Sequence, residues 1–213
     1  MGQVLYDISR VITSETAVWP GDQPFKQEWT LRKDKGASVN LSSICMSLHT
    51  ATHADAPLHV RSGGASMADL ALDAFLGPAY VLDLTEHPTI GGFIQPTHLE
   101  RVPSACTRVL LKTPHSLVPT TAWDANWWSV SPAAVEWLAE QGFILIGTDA
   151  PSVDPEDSKT LDAHHALARA GIVHLEHLSL REVSEGSYNL AALPLNIAGA
   201  DAAPVRAVLY DEA

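Results

Sequence analysis

The chain has only two cysteines among its 213 residues, Cys45 and Cys106, and no second thiol lies near either in sequence. This excludes a disulfide framework and a Cys-x-x-Cys redox or zinc motif. The chain also lacks an apolar run long enough to span a bilayer, and its first ten residues lack the basic and apolar blocks of a secretory signal. We therefore expect a mature, cytoplasmic protein that does not cross a membrane.

Positive charge is scarce as well. The sequence has 13 lysines and arginines against 25 aspartates and glutamates, a net charge of −12. Without a basic cluster it lacks the feature that nucleic-acid backbones require, so we expect no nucleic-acid partner. Low-complexity tracts, fixed-period repeats and Ser/Gly linkers are missing too, and a chain of this length can bury roughly 70% of its unfolded surface. Residues 1–213 are therefore predicted to form a single domain.

Predicted strands outnumber predicted helices. Because the regular strand–helix alternation of a doubly wound sheet is missing, we predict an α/β (α+β) fold: a single domain with a curved, barrel-like mixed β-sheet flanked by a few helices. One helix is expected at 133–141, with Ser131 as N-cap and Pro132 as its first residue, and a second at 162–170, ended by Gly171. The predicted strands are 4–8 with 11–12, 29–33, 39–48, 79–84, 108–111, 143–146, 172–178 and 207–210.

The predicted strand 172–178 alternates strictly with period two. One face carries Ile172, His174, Glu176 and Leu178, and the other carries Val173, Leu175 and His177. Neither face is wholly apolar, so at least one must meet a polar cavity or water. A carboxylate such as Glu176 is rarely buried unless it is paired or metal-bound, and the alternative is a residue facing solvent.

Three histidines and an aspartate lie within eleven residues, at His49, His53, Asp55 and His59. Fully extended, His49 and His53 would be ~13 Å apart at their Cα atoms, whereas a helical turn brings such positions to about 6 Å. Sharing one metal therefore favours a bend, and Pro57 excludes a regular helix interior, so we predict a strand end that turns into a short helical turn. Imidazole and carboxylate ligands suit zinc, with manganese or iron as alternatives. Separate surface histidines are the competing interpretation.

The histidine segment, HTATHADAPLH at 49–59, resembles the signature of the cyclase-like metal-dependent hydrolases, His-x-Gly-Thr-His-x-Asp-x-Pro-x-His. Only the glycine differs, being Ala51 here. We expect the alanine to be tolerated unless the position needs a positive φ, which would cost about 1 kcal/mol or more. Within this family the chain resembles the bacterial kynurenine formamidases (arylformamidases). This likeness covers nearly the whole chain and rests on residues 6–9, 18–22 and 147–154 and on His164 twelve residues before Glu176.

The resemblance implies two zinc ions per subunit, with Mn²⁺ possible, and a homodimer. The first ion would be held by His49, His53 and Asp55, with Asp55 and Glu176 bridging the two ions and His164 completing the second. His59 would be the proton donor and acceptor, and Trp19 would line the substrate pocket. His165 competes with His164 as a ligand, because adjacent helical residues point roughly 100° apart and only the family's spacing separates the two.

The implied reaction is hydrolysis of N-formyl-L-kynurenine to L-kynurenine and formate, a step of tryptophan degradation, by a zinc-bound hydroxide with His59 relaying the proton. One alternative is a related hydrolase of a cyclic amide or lactone, such as an isatin-like ring. Another is a non-catalytic, metal-stabilised binding protein, which is disfavoured because a closed structural site would not need His59. The missing Gly-x-Ser-x-Gly elbow disfavours a serine hydrolase.

Other polar and aromatic residues receive lesser roles. Trp123, Trp127 and Trp128 are expected to pack in the core or at a subunit interface, without a catalytic role. Asp149, Ser152 and Asp154 follow a predicted strand and either shape the pocket or form a turn.

Overall fold

The computed structural model describes residues 3–211, and its main element is a nine-stranded mixed sheet curled into a half-barrel. The helices are α1 (Pro96–Leu99), α2 (Pro132–Glu140) and α3 (Asp162–Ala170). The strands are β1 (Val4–Asp7), β2 (Lys26–Leu31), β3 (Leu41–Cys45), β4 (His53–Asp55), β5 (Leu76–Asp83), β6 (Phe93–Ile94), β7 (Arg108–Lys112), β8 (Ser129–Val130), β9 (Leu145–Thr148), β10 (Val173–Glu176), β11 (Gly186–Ala191), β12 (Ala202–Pro204) and β13 (Val208–Tyr210).

The large sheet runs in the order β1-β13-β11-β5-β7-β9-β10-β4-β12. Its centre, β5-β7-β9-β10, is parallel, and the strands on both sides of it are antiparallel. One face packs against α2 and α3 through residues such as Val109 and Ile146, and the other encloses a second apolar cluster that includes Leu110 and Leu175. The predicted fold class is confirmed.

Local signals mark the start of α2 and the end of α3. The Ser131 hydroxyl accepts a hydrogen bond from the Ala134 N–H at 3.1 Å, and Pro132 is the first residue of α2. At the end of α3, Gly171 adopts φ 69° and its N–H bonds to the Leu167 carbonyl, a conformation that glycine adopts without strain. These observations confirm the predicted helices to within one residue.

Several predicted strands differ from the structure in their bounds, among them 29–33, 79–84 and 143–146, which are β2, β5 and β9. Three further differences change the interpretation. Residues 11–12 are not a strand, and the predicted strand 39–48 shortens to β3, which pairs only with β2 in a separate, fully exposed hairpin. The predicted strand 172–178 shortens to β10, because His177 adopts φ 55° and its N–H bonds to the Ala150 carbonyl. Leu178 consequently packs in the cluster that contains Leu175, and the prediction that it shares a face with Glu176 is wrong.

Within residues 3–211, no helix combines the length and apolar character that a membrane span needs.

Candidate metal centre

The centre begins with the pairing of two short strands. β4 lies antiparallel to β10, with His53 opposite Glu176 and Asp55 opposite His174. Residues directly opposite each other point to the same face of a sheet, so this register brings four polar side chains together. On its other edge β4 pairs with β12, where Ala202 stands opposite Asp55, so the neighbouring side chain there is small.

The chain on either side of β4 bends toward this cluster. Before the strand, a turn at 47–52 contains Ala51 at φ 56° and brings His49 Nδ1 to 3.2 Å from His53 Nε2. After the strand, a 3-10 turn over Pro57–His59 places His59 beside the same cluster. The predicted strand end followed by a short helical turn is therefore found.

Helix α3 supplies a further imidazole from above the sheet. His164 Nε2 lies 3.5 Å from Asp55 Oδ2 and 3.6 Å from Glu176 Oε1. Among the described residues, the possible metal-binding groups include His164 but not its neighbour His165. The helix thus turns the residue with the family spacing toward the cluster.

Asp55 and Glu176 lie between two groups of histidines. On one side, which we term the outer position, Asp55 Oδ1 is 3.1 Å from His49 Nδ1 and 3.2 Å from His53 Nε2. Glu176 Oε2 lies on this side too, 3.4 Å from His53 Nε2. The second oxygens, Asp55 Oδ2 and Glu176 Oε1, lie on the opposite side near His164. A carboxylate that bridges two metal ions requires this arrangement.

On that opposite side, the inner position, His164 is joined by a second histidine. His174 Nε2 lies 3.3 Å from Asp55 Oδ2 and 3.8 Å from Glu176 Oε1. The four residues of the inner position, Asp55, His164, His174 and Glu176, are all buried and form one candidate cation site.

Three of the histidines are oriented by hydrogen bonds on their far nitrogens. The Nε2–H of His49 donates to Asp201 Oδ2 at 3.0 Å, and the Nδ1–H of His53 donates to the Ala51 carbonyl at 2.8 Å. The Nδ1–H of His164 donates to Asp154 Oδ2 at 2.6 Å. Each bond fixes the tautomer so that the other nitrogen carries its lone pair into the cluster, as metal-binding histidines require.

The donor set fits a divalent cation. Both oxygens of Asp55 and the Nε2 atom of His174 are buried without a hydrogen-bond partner among residues 3–211. A buried, unpartnered carboxylate is costly, and a cation held between the carboxylates and imidazoles removes that cost. Nitrogen and oxygen donors without thiolate suit zinc or manganese.

The electrostatics of the cluster favour charged groups despite its burial. Burial opposes ionisation of Asp55, but the close imidazoles of His164, His174, His49 and His53 hold its pKa well below the usual range. Burial likewise lowers the pKa of His53, yet the nearby carboxylates of Asp55 and Glu176 raise it to about 10. The pKa of His164 also rises to about 10, because its hydrogen bond to Asp154 and the nearby Asp55 outweigh burial. Protons and cations therefore compete for this site.

His59 differs from His49, His53, His164 and His174 because its side chain is the most exposed of the five. Its Nδ1 lies 3.5 Å from Asp201 Oδ2, and its Nε2 lies 3.9 Å from Asp55 Oδ2. Burial, reinforced by the nearby His49 and His164, lowers the pKa of His59. At neutral pH it is an uncharged imidazole that can accept a proton.

A cavity of about 290 Å³ opens onto the cluster. Its lining includes His49, Asp55, His59, His164, Glu176, His177 and Ser152 from the cluster side and Val18, Trp19, Asp22, Trp123, Pro151 and Leu161 around them. Trp19 packs edge-on against Trp123 and Trp127 at centroid distances of 5.3 and 5.8 Å. The cavity therefore joins a polar floor to an aromatic wall.

The other residues singled out in the sequence are placed as follows. Trp127 and Trp128 pack in the interior as expected, but Trp123 lines the cavity, which differs from the expectation of core or interface packing. Ser152 lines the cavity and Asp154 orients His164. Asp149 instead accepts hydrogen bonds from Thr113 and Ser116 behind the cavity.

Sequence reasoning missed two residues of the centre. The period-two pattern put His174 on the face of Glu176, and that signal could have made it a candidate ligand. Asp201, which contacts both His49 and His59, precedes β12 without any motif around it. Its position depends on the β12–β4 pairing, which the sequence does not reveal.

A curled mixed sheet with a buried His/Asp/Glu cluster at the floor of a cavity defines an α+β protein with a candidate metal centre. A family model described as "Putative cyclase" matches residues 6–155. The chain belongs to this cyclase family. The matched range contains His49, His53, Asp55 and His59, while His164, His174 and Glu176 lie beyond it.

Matches to individual relatives extend over nearly the whole chain and so include the candidate ligands beyond residue 155. The chain is 49% identical over 209 residues to a protein of Salinibacter ruber named kynurenine formamidase, covering 97% of each. It is 42% identical over 213 residues to a protein of the same name from Bordetella pertussis, covering 97% of this chain and 98% of the relative. A solved structure described as a potential metal-dependent hydrolase with cyclase activity superposes with a TM-score of 0.83 at 29% identity, and the match covers 100% of both chains.

Proposed function

We propose that this chain is a kynurenine formamidase, which hydrolyses N-formyl-L-kynurenine to L-kynurenine and formate. The observation that carries the proposal is the position of Asp55 and Glu176, each with one oxygen toward the outer and one toward the inner position, at the floor of an aromatic-lined cavity. The name of the relatives from Salinibacter ruber and Bordetella pertussis supports the same substrate.

The cluster would hold two zinc ions, or manganese in their place. His49, His53 and Asp55 would bind the first ion, and His164 would bind the second, with Asp55 and Glu176 bridging. When bound, zinc lowers the pKa of a coordinated water from 15.7 to about 7 and stabilises negative charge that develops on a carbonyl oxygen. This chemistry supplies a nucleophile at neutral pH for a formyl amide.

His59 would move the proton. Its Nε2 is directed toward the cluster and its Nδ1 toward Asp201, so one nitrogen is free to act while the other is held. It accepts a proton from the attacking water and returns it to the aniline nitrogen as the carbon–nitrogen bond breaks. L-Kynurenine then leaves with the amine proton, and the formyl carbon leaves as formate.

Trp19 would position the aromatic ring of the substrate. The side chain is 37% exposed and is held edge-on by Trp123, so it presents aromatic surface to the cavity at small entropic cost. The ring of N-formyl-L-kynurenine would stack there, while its formyl group reaches the outer position beside His59.

The proposal is tested by measuring hydrolysis of N-formyl-L-kynurenine and metal content in parallel, before chelation, after it and after zinc or manganese is restored. Activity should fall with the bound metal and return with it. Isatin is assayed alongside, and a larger kcat/KM for isatin would favour the cyclic-substrate alternative. Full activity after complete metal removal would refute the mechanism, and bound metal without turnover of either substrate would support a binding protein.

A His59→Ala variant tests the proton role separately. We expect kcat to fall by roughly 10²–10⁴-fold while the metal content stays unchanged, because a positioned acid or base contributes about that much. His165→Ala, next to His164 but outside the cluster, is the matched control and should keep its activity. Wild-type kcat in His59→Ala at saturating substrate would remove His59 from the mechanism.

The assembly and location are proposed with the function. A homodimer is implied by the family resemblance and supported by the exposed β2–β3 hairpin, which carries apolar Trp29, Leu41 and Ile44 on its surface. Light scattering should give twice the chain mass of 22.9 kDa. The free thiols Cys45 and Cys106 fit a reducing cytoplasm, which cell fractionation would check.

A further inference from the structure

We propose that His174 is a fourth protein ligand, which closes the inner metal position together with Asp55, His164 and Glu176. The inference rests on the proposed function, because it concerns the same centre. It adds a ligand that neither the sequence motif nor the family spacing indicated.

The distances fit direct coordination. For a zinc ion with ligand bonds of ~2.0–2.1 Å in a tetrahedron, neighbouring donor atoms are about 3.3 Å apart. His174 Nε2 lies 3.3 Å from Asp55 Oδ2 and 3.8 Å from Glu176 Oε1, and His164 Nε2 lies 3.5 and 3.6 Å from the same two oxygens. The rings of His164 and His174 cross at 84°, and their Nε2 atoms both approach the same two carboxylate oxygens.

The state of the His174 nitrogen supports the same assignment. His174 is 6% exposed, and its Nε2 has no hydrogen-bond partner among residues 3–211 although two carboxylates lie nearby. The contact between His174 Nε2 and Asp55 Oδ2 is therefore not a hydrogen bond. It fits two atoms that donate electron pairs to the same metal ion. The β4–β10 register holds His174 opposite Asp55.

The outer position differs in this respect. Its imidazoles are His49 and His53, and the His49 side chain is 22% exposed beside the cavity. With His174, each position would have two imidazoles and the two bridging carboxylates, so the positions differ in exposure rather than in ligand number. The inner ligands are all buried, whereas a more open position suits catalysis. Substrate would therefore meet the metal at the outer position, and the inner ion would hold the bridging carboxylates in place.

Zinc titration of the metal-free protein against a chromophoric chelator tests the assignment. Replacing His174 with phenylalanine, His174→Phe, keeps a ring but removes the nitrogen donor, and His165→Phe is the matched control. We expect two zinc ions in wild type and control, and a loss of more than about 100-fold in affinity at one position in His174→Phe. Residues that only hydrogen-bond to ligands typically cost 10–100-fold, so the size of the loss separates the two roles.

A measurement on the unmodified protein does not depend on His174→Phe being folded. In protein labelled with ¹⁵N-histidine and loaded with ¹¹³Cd²⁺, a ring nitrogen bound to the metal shows a resolved coupling to cadmium. We expect this coupling at the Nε2 of His174 and none at His165. Protein that binds two cadmium ions without coupling at His174 would overturn the assignment.

The outcomes also separate this inference from the proposed function. If wild type hydrolyses N-formyl-L-kynurenine with two zinc ions and His174→Phe binds both at unchanged affinity, the ligand assignment fails and the function stands. If wild type binds two ions without turnover while His174→Phe loses one, the function fails and the ligand assignment stands.

Discussion

Ala51 occupies the position of the one glycine of the family signature that this chain lacks. Its φ is 56°, in the left-handed region that costs an alanine roughly 1–2 kcal/mol. The position is therefore one of those where a positive φ is required, and the alanine is present despite the strain. Its carbonyl accepts the hydrogen bond that orients His53, so the strained conformation also serves the metal centre.

Opposing contributions to the free energy of unfolding explain why an alanine is tolerated at position 51. Ala51→Gly relieves the strain, but it removes a buried methyl worth about 0.8 kcal/mol and adds about 0.5–1 kcal/mol of backbone entropy in the unfolded chain. We therefore expect Ala51→Gly to change the free energy of unfolding of the metal-free protein by less than about 1 kcal/mol. Ala51→Val should destabilise by more than about 2 kcal/mol, because a β-branched residue combines left-handed strain with overpacking. Urea unfolding measures both variants, and equal stability of Ala51→Val and wild type would contradict this account.

The high pKa values of His53 and His164 predict a steep pH dependence of metal binding. Each has a pKa of about 10 in the metal-free protein, so both carry a proton at pH 6.5–8.5 and must lose it to bind zinc. Affinity should therefore fall as pH falls, by up to about 100-fold per pH unit when two protons are released. Competition titrations at three pH values measure the slope. Calorimetry in buffers of different ionisation enthalpy counts the protons, and a zinc affinity independent of pH would refute the prediction.

At the scale of secondary-structure elements, local signals and long-range pairing contribute differently. The helical composition of 162–170 predicts α3 and Gly171 marks its end, and the alternation of β10 places His174 and Glu176 on one face. The register of β4 against β10 has no local signature, because strand pairing depends on the whole sheet. The sequence therefore predicts which residues share a face, whereas it does not predict that His174 stands opposite Asp55.

The β2–β3 hairpin also shows that a sequence pattern does not predict which strand will be the partner. Residues 39–48 alternate apolar and small polar side chains, which is typical of a strand but indicates no particular partner. In the structure only Leu41–Cys45 is a strand, and it pairs with β2 away from the main sheet. The pattern predicts the type of element, whereas its place in the fold depends on contacts far along the chain.

Helix α3 joins stability and function through Asp154. This carboxylate accepts hydrogen bonds from the Ala163 and His164 N–H groups and also orients the His164 ring. Asp154 Oδ2 accepts from both the His164 N–H and the ring Nδ1–H, and Oδ1 accepts from the Ala163 N–H. Asp154→Asn leaves one amide oxygen for these three donors and removes the negative charge beside the His164 ring. We expect a 10–100-fold loss of zinc affinity at the inner position, as for other groups that orient a metal-binding histidine. Zinc titration measures it.

Asp162→Asn provides the control for Asp154→Asn. It makes the same change of charge on an exposed residue in the first turn of the same helix, without contact to His164. Zinc affinity in this variant should equal that of wild type. An equal loss in both variants would assign the effect to helix charge rather than to the orientation of His164.

At the scale of the whole molecule, the centre joins segments that are distant along the chain. His49, His53 and Asp55 precede the parallel strands β5, β7 and β9 in the chain, whereas α3 and β10 follow them. In the unfolded chain these groups do not form a common site, so bound metal stabilises the folded state by mass action. The coordination therefore contributes to stability beyond what apolar packing provides.

This coupling predicts a large effect of metal removal on thermal unfolding. Free zinc at about 1,000 times Kd stabilises by about 4 kcal/mol per site, which for a chain of this size corresponds to a rise of roughly 8–16 °C in Tm. Chelation should lower Tm by at least this amount, and added zinc should restore it. A variant lacking two ligands, His53→Ala with His164→Ala, should unfold at a Tm that the chelator does not change. Metal that binds only the folded chain must raise Tm, because its binding free energy adds to the free energy of unfolding. Identical Tm values for wild type with and without bound metal would therefore contradict a site that forms only on folding.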